Sequence, residues 1–367
     1  MTPATRPRGA ALLTAMIIVT LIASLAAGMV WQQYRAVQIE AADRARAQSG
    51  WILQGALDWA RLILKEDAQN NRTKPVDHLG EPWATPLAEA RLSTFLAADK
   101  TSATDDGPEA FLSGSIEDAQ SRYNLRALLG GPQVPALEQR TLERLLTTIN
   151  APPGTGTLIV SGLRAAFPAA ASAPIGAASA ALSIPGPASA VGGSGGAVTS
   201  SSGAPVGSPV GSPVGSPDSN TAASSAGPLQ PAGLDQLAWF GLDADTLNRL
   251  RPFVVLLPRA TPINLNTAPR EVIAAAFDGV DLASAERLVQ GRKVKPLQTP
   301  ADAMAYLPAG TQLGADRASV DSSFFMVTGR LRLDERQLEQ RSLVERQGLS
   351  MVVRARDRVS QWVEAAR

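Results

Sequence analysis

The first pattern along the chain is the apolar run AALLTAMIIVTLIASLAAGMV, Ala10 to Val30, which has no charge and no proline. At a 1.5 Å rise per residue its length matches the roughly 30 Å hydrocarbon thickness of a bilayer. It predicts a membrane span. The helical pattern continues through WQQYRAVQIEAADRARAQSGWILQGALDWARLILKED, where Ile39, Ile52, Ala56, Trp59 and Ile63 recur at mostly helical spacing and no proline appears before Pro75. One helix is therefore expected from about Ala10 to Lys65, about 80 Å long, its first part in lipid and its second along a globular head. A cleaved secretory signal would instead end at a small-residue site followed by a change of structure, and the continuing pattern argues against one.

Turn formers in NNRTKPVDHLGEPWATP end the helix, and the strand-like stretches LSTFLA and SGSIEDAQSRYNL follow. Leu142, Leu145, Leu146 and Ile149 then fall at helical spacing after Pro135. Further on, LDQLAWFGLDADTLNRLRPFVVLLP reads as helical up to Pro258. Two short helices are expected at about Pro269 to Phe277 and Leu282 to Gly291, joined by the turn Asp278-Gly279-Val280. The closing stretches SSFFMVTGRLRL and SLVERQGLSMVVRARDRV alternate in β-formers, with a turn at Gln347-Gly348. The fold class is α+β, with helices inserted between early and late strands of one head.

One tract breaks this order. Between Arg164 and Asp235 the only charge is Asp218, and three copies of PVGS run from Pro205 to Ser216. Such a composition buries too little apolar surface to offset its ordering entropy, so disorder is expected. The resulting segments are a leader at 1–9, the long helix at 10–65, and the first part of the head at 66–125. An inserted α-domain follows at 126–165 and 234–318, split by the linker 166–233, and the C-terminal strands of the head occupy 319–367.

Charge and composition narrow the function. The 34 Lys plus Arg balance 33 Asp plus Glu, so the net charge of +1 offers no general attraction to nucleic acid. With no cysteine, disulfides, thiolate nucleophiles and Cys-ligated metals are excluded. Arg6 and Arg8 precede the span and the next basic residue is Arg35, which puts the N-terminus in the cytoplasm and the head outside. Trp31 and Tyr34 fit an interfacial aromatic belt.

A short basic leader ending in Gly9, then an apolar run that opens a long helix, resembles the type IV pilin and pseudopilin class. The resemblance implies cleavage between Gly9 and Ala10 by a prepilin peptidase and methylation of the new amine of Ala10. Most of that class carries Glu as the fifth residue after the cut; here the position is Thr14. A carboxylate inside a bilayer needs a cationic partner, which in a filament would be the terminal amine of the previously added subunit. A subunit without it needs no predecessor, which suits the tip.

More specifically, the leader without Glu, DHLGEPWA (Asp77 to Ala84), SIEDAQSRYNL (Ser115 to Leu125), LPRATPINLNTAP (Leu257 to Pro269) and FFMVTGRLRLDERQLEQRSLVER together resemble the general secretion pathway protein K family, the large minor pseudopilin of type II secretion systems. The resemblance implies a pilin-like head in the periplasm, anchored in inner-membrane lipid by its long helix. It also implies an inserted α-domain with a helix-hairpin-helix-like (SAM-like) motif. The implied partners are minor pseudopilins I and J in a tip complex, the other pseudopilins and the inner-membrane secretion platform. Some members bind calcium, whose ligands here stay unassigned.

Other chemistries read more weakly. The hairpin at Thr261 to Lys295 could belong to a DNA-uptake or competence pilin. Yet its five basic residues, Arg270, Arg287, Arg292, Lys293 and Lys295, face four acidic ones, Glu271, Asp278, Asp281 and Glu286, and two of these flank the turn. No nucleic acid is expected. His78 is the only histidine and no nucleophile motif accompanies it, so no catalytic residue is assigned. Asp105, Asp106 and Glu109, or Glu117 and Asp118, offer hard oxygens without a fixed loop spacing. Arg354, Arg356 and Arg358 alternate as one solvated strand face would.

Overall fold

The computed structural model describes residues 10–92, 110–168, 229–333 and 336–362. The leader, most of LSTFLA, the cluster Asp105, Asp106 and Glu109, and the PVGS repeats lie outside the described residues. In chain order the elements are α1 (Ala10–Asn70), β1 (Leu87–Arg91), β2 (Ala110–Asp118), β3 (Tyr123–Asn124), α2 (Ala136–Thr148), α3 (Thr155–Ala166) and α4 (Ala244–Leu250). After these come β4 (Val254–Val255), β5 (Ile263–Asn264), α5 (Arg270–Ala276), α6 (Leu282–Val294), β6 (Ala318–Ser319), β7 (Phe324–Leu333), β8 (Arg336–Gln347) and β9 (Ser350–Trp362). The class is α+β, and the chain forms two units, Met1–Ala119 with Asp321–Arg367, and Gln120–Val320.

In the first unit α1 passes Lys65 and ends at Asn70, because its last turns still have partners in the head. Leu12 to Gln48 are exposed along about 55 Å of helix. From there one face is buried, through Ser49, Leu53, Leu57, Ala60, Leu64 and Asp67, at the steps of four and three that make a single stripe. The stripe lies on an antiparallel sheet of order β1-β2-β7-β8-β9.

Period-two alternation decides which strand residues meet α1. Phe325 and Val327 of β7, Val344 of β8 and Met351 of β9 join Leu57, Ala60, Leu64 and Trp83 in one cluster, and Leu112 and Leu331 join Leu53 in another. Trp83 meets the Phe325 ring edge-on, with centroids 5.3 Å apart. Between the clusters Gly114 pairs with Gly329, and a Cβ on Gly329 would sit 3.3 Å from Leu53 Cδ2. The missing side chain lets the helix approach the strand. The β8–β9 hairpin turns at Gly348, whose φ of +59° is cheap only for glycine.

The second unit is helix-rich, with two short parallel pairings, β3 with β4 and β5 with β6. The stretch expected as helix before Pro258 is broken up, and ends in β4. Leu234–Phe240 is a 3-10 turn, Gly241 at φ +91° stops it, and α4 starts only after the Asp243 carboxylate caps the Thr246 amide. Buried asparagines fasten the loops. Asn124 Oδ1 accepts from the Arg126 and Leu257 amides while its Nδ2 donates to Arg259 O and Thr261 Oγ1. Asn266 bonds both the carbonyl and the amide of Leu297 at 2.9 Å.

Leu64 is fully buried against this sheet, so Leu64→Ala should cost the head about 2–5 kcal/mol. Near-UV circular dichroism of Trp83 on heating should show a lower unfolding midpoint, and an unchanged midpoint would contradict this packing.

Candidate functional site

The functional candidates lie at the two ends of α1 and at the turn between α5 and α6. Toward its N-terminus α1 is long and apolar enough to cross a membrane, with a mean hydropathy of 2.3 over its most apolar window. Its hydroxyls are turned inward: Thr20 Oγ1 donates to the carbonyls of Met16 and Ile17, and Ser24 Oγ to that of Leu21. Polar groups are thus satisfied within the helix, as lipid requires. Ala10 opens α1, Thr14 lies on its exposed surface, and the first turn has no acidic residue. Gly9 lies outside the described residues.

At the other end, Arg346 of β8 reaches back to the helix. Its Nη1 lies 2.9 Å from Asp67 Oδ2, and its Nη2 donates to Asp77 Oδ2 and to the Ser322 carbonyl. The Ser322 amide donates to Asp77 Oδ2 at 2.6 Å, and its hydroxyl donates to Asp118 Oδ2 at 2.7 Å. Glu81 accepts from the His78 amide, Trp83 Nε1 and Asn71 Nδ2. Asn71 Nδ2 also donates to Asp67 Oδ1 at 3.2 Å. Burial, then the Glu81 and Asp77 carboxylates, push Asp67 up to about 7, and burial also raises Asp77.

Oxygens of Asp67, Asp77 and Glu81 lie within 4.8 Å of one another. The positive charge among them is the Arg346 guanidinium, which makes this an arginine-held cluster rather than a cation cage. Asp118, one of the hard-oxygen candidates, spends an oxygen on Ser322. Sequence reasoning noticed DHLGEPWA and SLVER as phrases without joining them. The signal was available in part: Asp77 and Glu81 are charges inside a turn-forming stretch.

The turn of the hairpin has its charges paired. Arg144 and Arg140 hold Asp278 at 2.7 and 3.3 Å, and the bond from Arg144 comes first among the causes that keep its carboxyl below the usual range. The Asp281 carboxylate caps the Ser284 amide at the start of α6. Arg270 is paired with Glu271 and Glu286, Arg287 bonds Ser284 Oγ, and buried Arg292 donates to the Leu265 carbonyl, its pKa lowered by burial to about 10. His78 Nδ1 accepts from the Gly80 amide within its own turn.

The C-terminal arginines do not form one solvated face. A bulge, Leu343 opposite Ala355 and Val344 opposite Val353, leaves Arg354 as the extra residue and resets the alternation. Arg354 bonds Glu345 and Arg358 bonds Gln340, so the two reach opposite faces of β8.

Residues 263–321 match the family model of type II secretion system protein K. That segment holds α5, α6 and the Asn266 fastener. The type II secretion system protein K of Pseudomonas aeruginosa is 28% identical over 336 residues, 89% of this chain and 85% of its own length. That of Pectobacterium carotovorum subsp. carotovorum is 24% identical over 360 residues, 95% of each. A chain in the crystal structure of the GspK-GspI-GspJ complex from the enterotoxigenic Escherichia coli type 2 secretion system superposes with a TM-score of 0.55. It is 17% identical, with 87% of this chain and 98% of that one covered. At that identity the likeness is one of fold.

Removing Arg346 would leave buried carboxylates facing one another. Arg346→Ala should therefore cost about 3–5 kcal/mol, read as a lower unfolding midpoint and faster proteolysis of the head. A midpoint equal to the parent's would show that the cluster holds nothing in place.

Proposed function

We propose that this chain, which belongs to the type II secretion system protein K family, is a minor pseudopilin at the tip of the pseudopilus, where it initiates assembly and supports protein export across the outer membrane. The observation that carries the reading is the form of α1. Its first part is an exposed apolar rod without an acidic first turn, and its last turns are locked to a small sheet. Such a rod is stored in lipid until a bundle of like helices replaces the lipid around it. Arg6 and Arg8 ahead of the span support a cytoplasmic N-terminus, a single pass through the inner membrane and a periplasmic head.

In this reading the prepilin peptidase cuts between Gly9 and Ala10, and the Ala10 amine is methylated. Thr14 then carries no charge for a preceding subunit to neutralise, so the chain can stand first in the filament. The GspK-GspI-GspJ complex supports the minor pseudopilins I and J as its partners. Other pseudopilins and the inner-membrane platform would extend the filament behind them.

The role is mechanical rather than catalytic, since the family consists of structural secretion subunits and the His78 ring is used within its turn. Duplex binding by the hairpin is disfavoured because Asp278 already holds Arg140 and Arg144, and the amides at the start of α6 meet Asp281 rather than a phosphate.

Mass spectrometry of membrane-extracted protein should find a methylated Ala10 start that depends on the peptidase. An intact Met1, or a cut beyond the apolar run, would end the pseudopilin reading. Thr14→Glu should lower the number of pseudopili per cell, because the new carboxylate lacks a partner amine at the tip. Pseudopilus counts by electron microscopy equal to the parent's would remove Thr14 from the argument.

A further inference from the structure

The cluster around Arg346 sits where the inserted segment leaves and rejoins the head. The strand β2 ends at Asp118 and the first unit resumes at Asp321, so the bond from Ser322 Oγ to Asp118 staples the outgoing and returning chain together. The same serine is bound through its amide to Asp77 and through its carbonyl to Arg346, whose backbone amide donates to Ser323 O at 2.7 Å. Asp67 adds the end of α1 to this knot.

The charges in the knot do not balance. Asp67 on α1 is faced by Asp77 and Glu81 from the turn and by Arg346 from β8, with Asp118 of β2 one residue further on behind Ser322. Three carboxylates have oxygens within 4.8 Å of one another and the Arg346 guanidinium reaches two of them, Asp67 and Asp77, in a place where Asp77 is fully buried, Asp67 nearly so and Glu81 half-buried. Like charges that close in a low dielectric cannot all stay ionised, so one proton is retained. The hydrogen bonds select its position. Glu81 accepts from three donors, and at Asp77 Arg346 and the Ser322 amide work against the rise that burial causes. Asp67 has one Arg346 contact and the 3.2 Å bond from Asn71.

We propose that this cluster is a proton-linked clasp on the root of the insertion, closed while Asp67 holds a proton and loosened when the proton leaves. The raised pKa of Asp67 agrees in direction and places the change near neutral pH. Its folded value lies above the unfolded 3.8, so the stability it adds is complete at acid pH and is lost as pH rises through about 7. The clasp would couple proton activity around the head to the stiffness of the two strands that carry residues 120–320. The inference does not depend on the pilin reading.

Hydrogen exchange of the full chain in detergent micelles tests it, with rates corrected for the intrinsic pH dependence. Protection of the Ser322 amide and of residues 70–83 should fall about tenfold between pH 6 and pH 8, the change that loss of one proton from a group near 7 produces. Asp67→Asn should abolish that dependence and keep the low-pH protection at both values. Glu81→Gln, which removes one repelling neighbour and leaves Asp67 able to titrate, should move the midpoint to lower pH. Flat protection in the parent, an unchanged profile in Asp67→Asn, or an unmoved midpoint in Glu81→Gln would each overturn the clasp.

Discussion

The structure of the head depends on how closely α1 can lie on the sheet. Leu53, Leu57 and Leu64 form a stripe that must be covered, and at Gly329 the approach is close, since a Cβ there would stand 3.3 Å from Leu53 Cδ2. Trp83 and Phe325 close the far end of the same layer. Upstream of Ser49 no described residue of the head covers the helix, and its apolar part suits lipid or other helices.

A second constraint comes from polar groups taken out of water. The phrases that carry the resemblance to protein K are, in the fold, mostly fasteners. Asp77, Glu81 and Trp83 of DHLGEPWA belong to the clasp and to the packed layer beside it. Asn124 of SRYNL ties two loops, and Asn266 of INLNTAP grips Leu297 by both of its backbone groups. A buried amide or carboxylate needs each partner at a defined distance, which ties residue type to position more tightly than an apolar contact does. In the second unit these asparagines fasten loops.

Electrostatics in the two units run in opposite directions. At the turn of the hairpin the charges are answered locally, Asp278 by two arginines and Arg270 by two glutamates. At the root of the insertion Asp67 and Asp77 share one guanidinium with a third carboxylate, Glu81, beside them, and Asp77 is fully buried. The balanced region behaves as scaffold. The unbalanced one responds to protons.

Local order was legible in the sequence by itself. The length of α1, the helix around Leu142 and Leu145, the pair of helices around Gly279 and the closing hairpin at Gly348 each follow from periodicity and turn chemistry acting within a few residues. The α+β class follows from their order. The reading failed where a single residue overrode the pattern: Gly241 breaks the expected helix at Phe240, and the extra Arg354 moves Arg354 and Arg358 onto opposite faces of a strand that looked regular. The clasp was not legible at all, since Asp67, Asp77, Asp118, Ser322 and Arg346 meet only after α1, β2, β7 and β8 have packed. Sequence alone determined which segments are helical, extended or apolar enough for a membrane, because those depend on neighbours in the chain. Tertiary structure alone decided which charges are buried together, because burial and proximity are properties of the packed sheet and helix and of no segment taken singly.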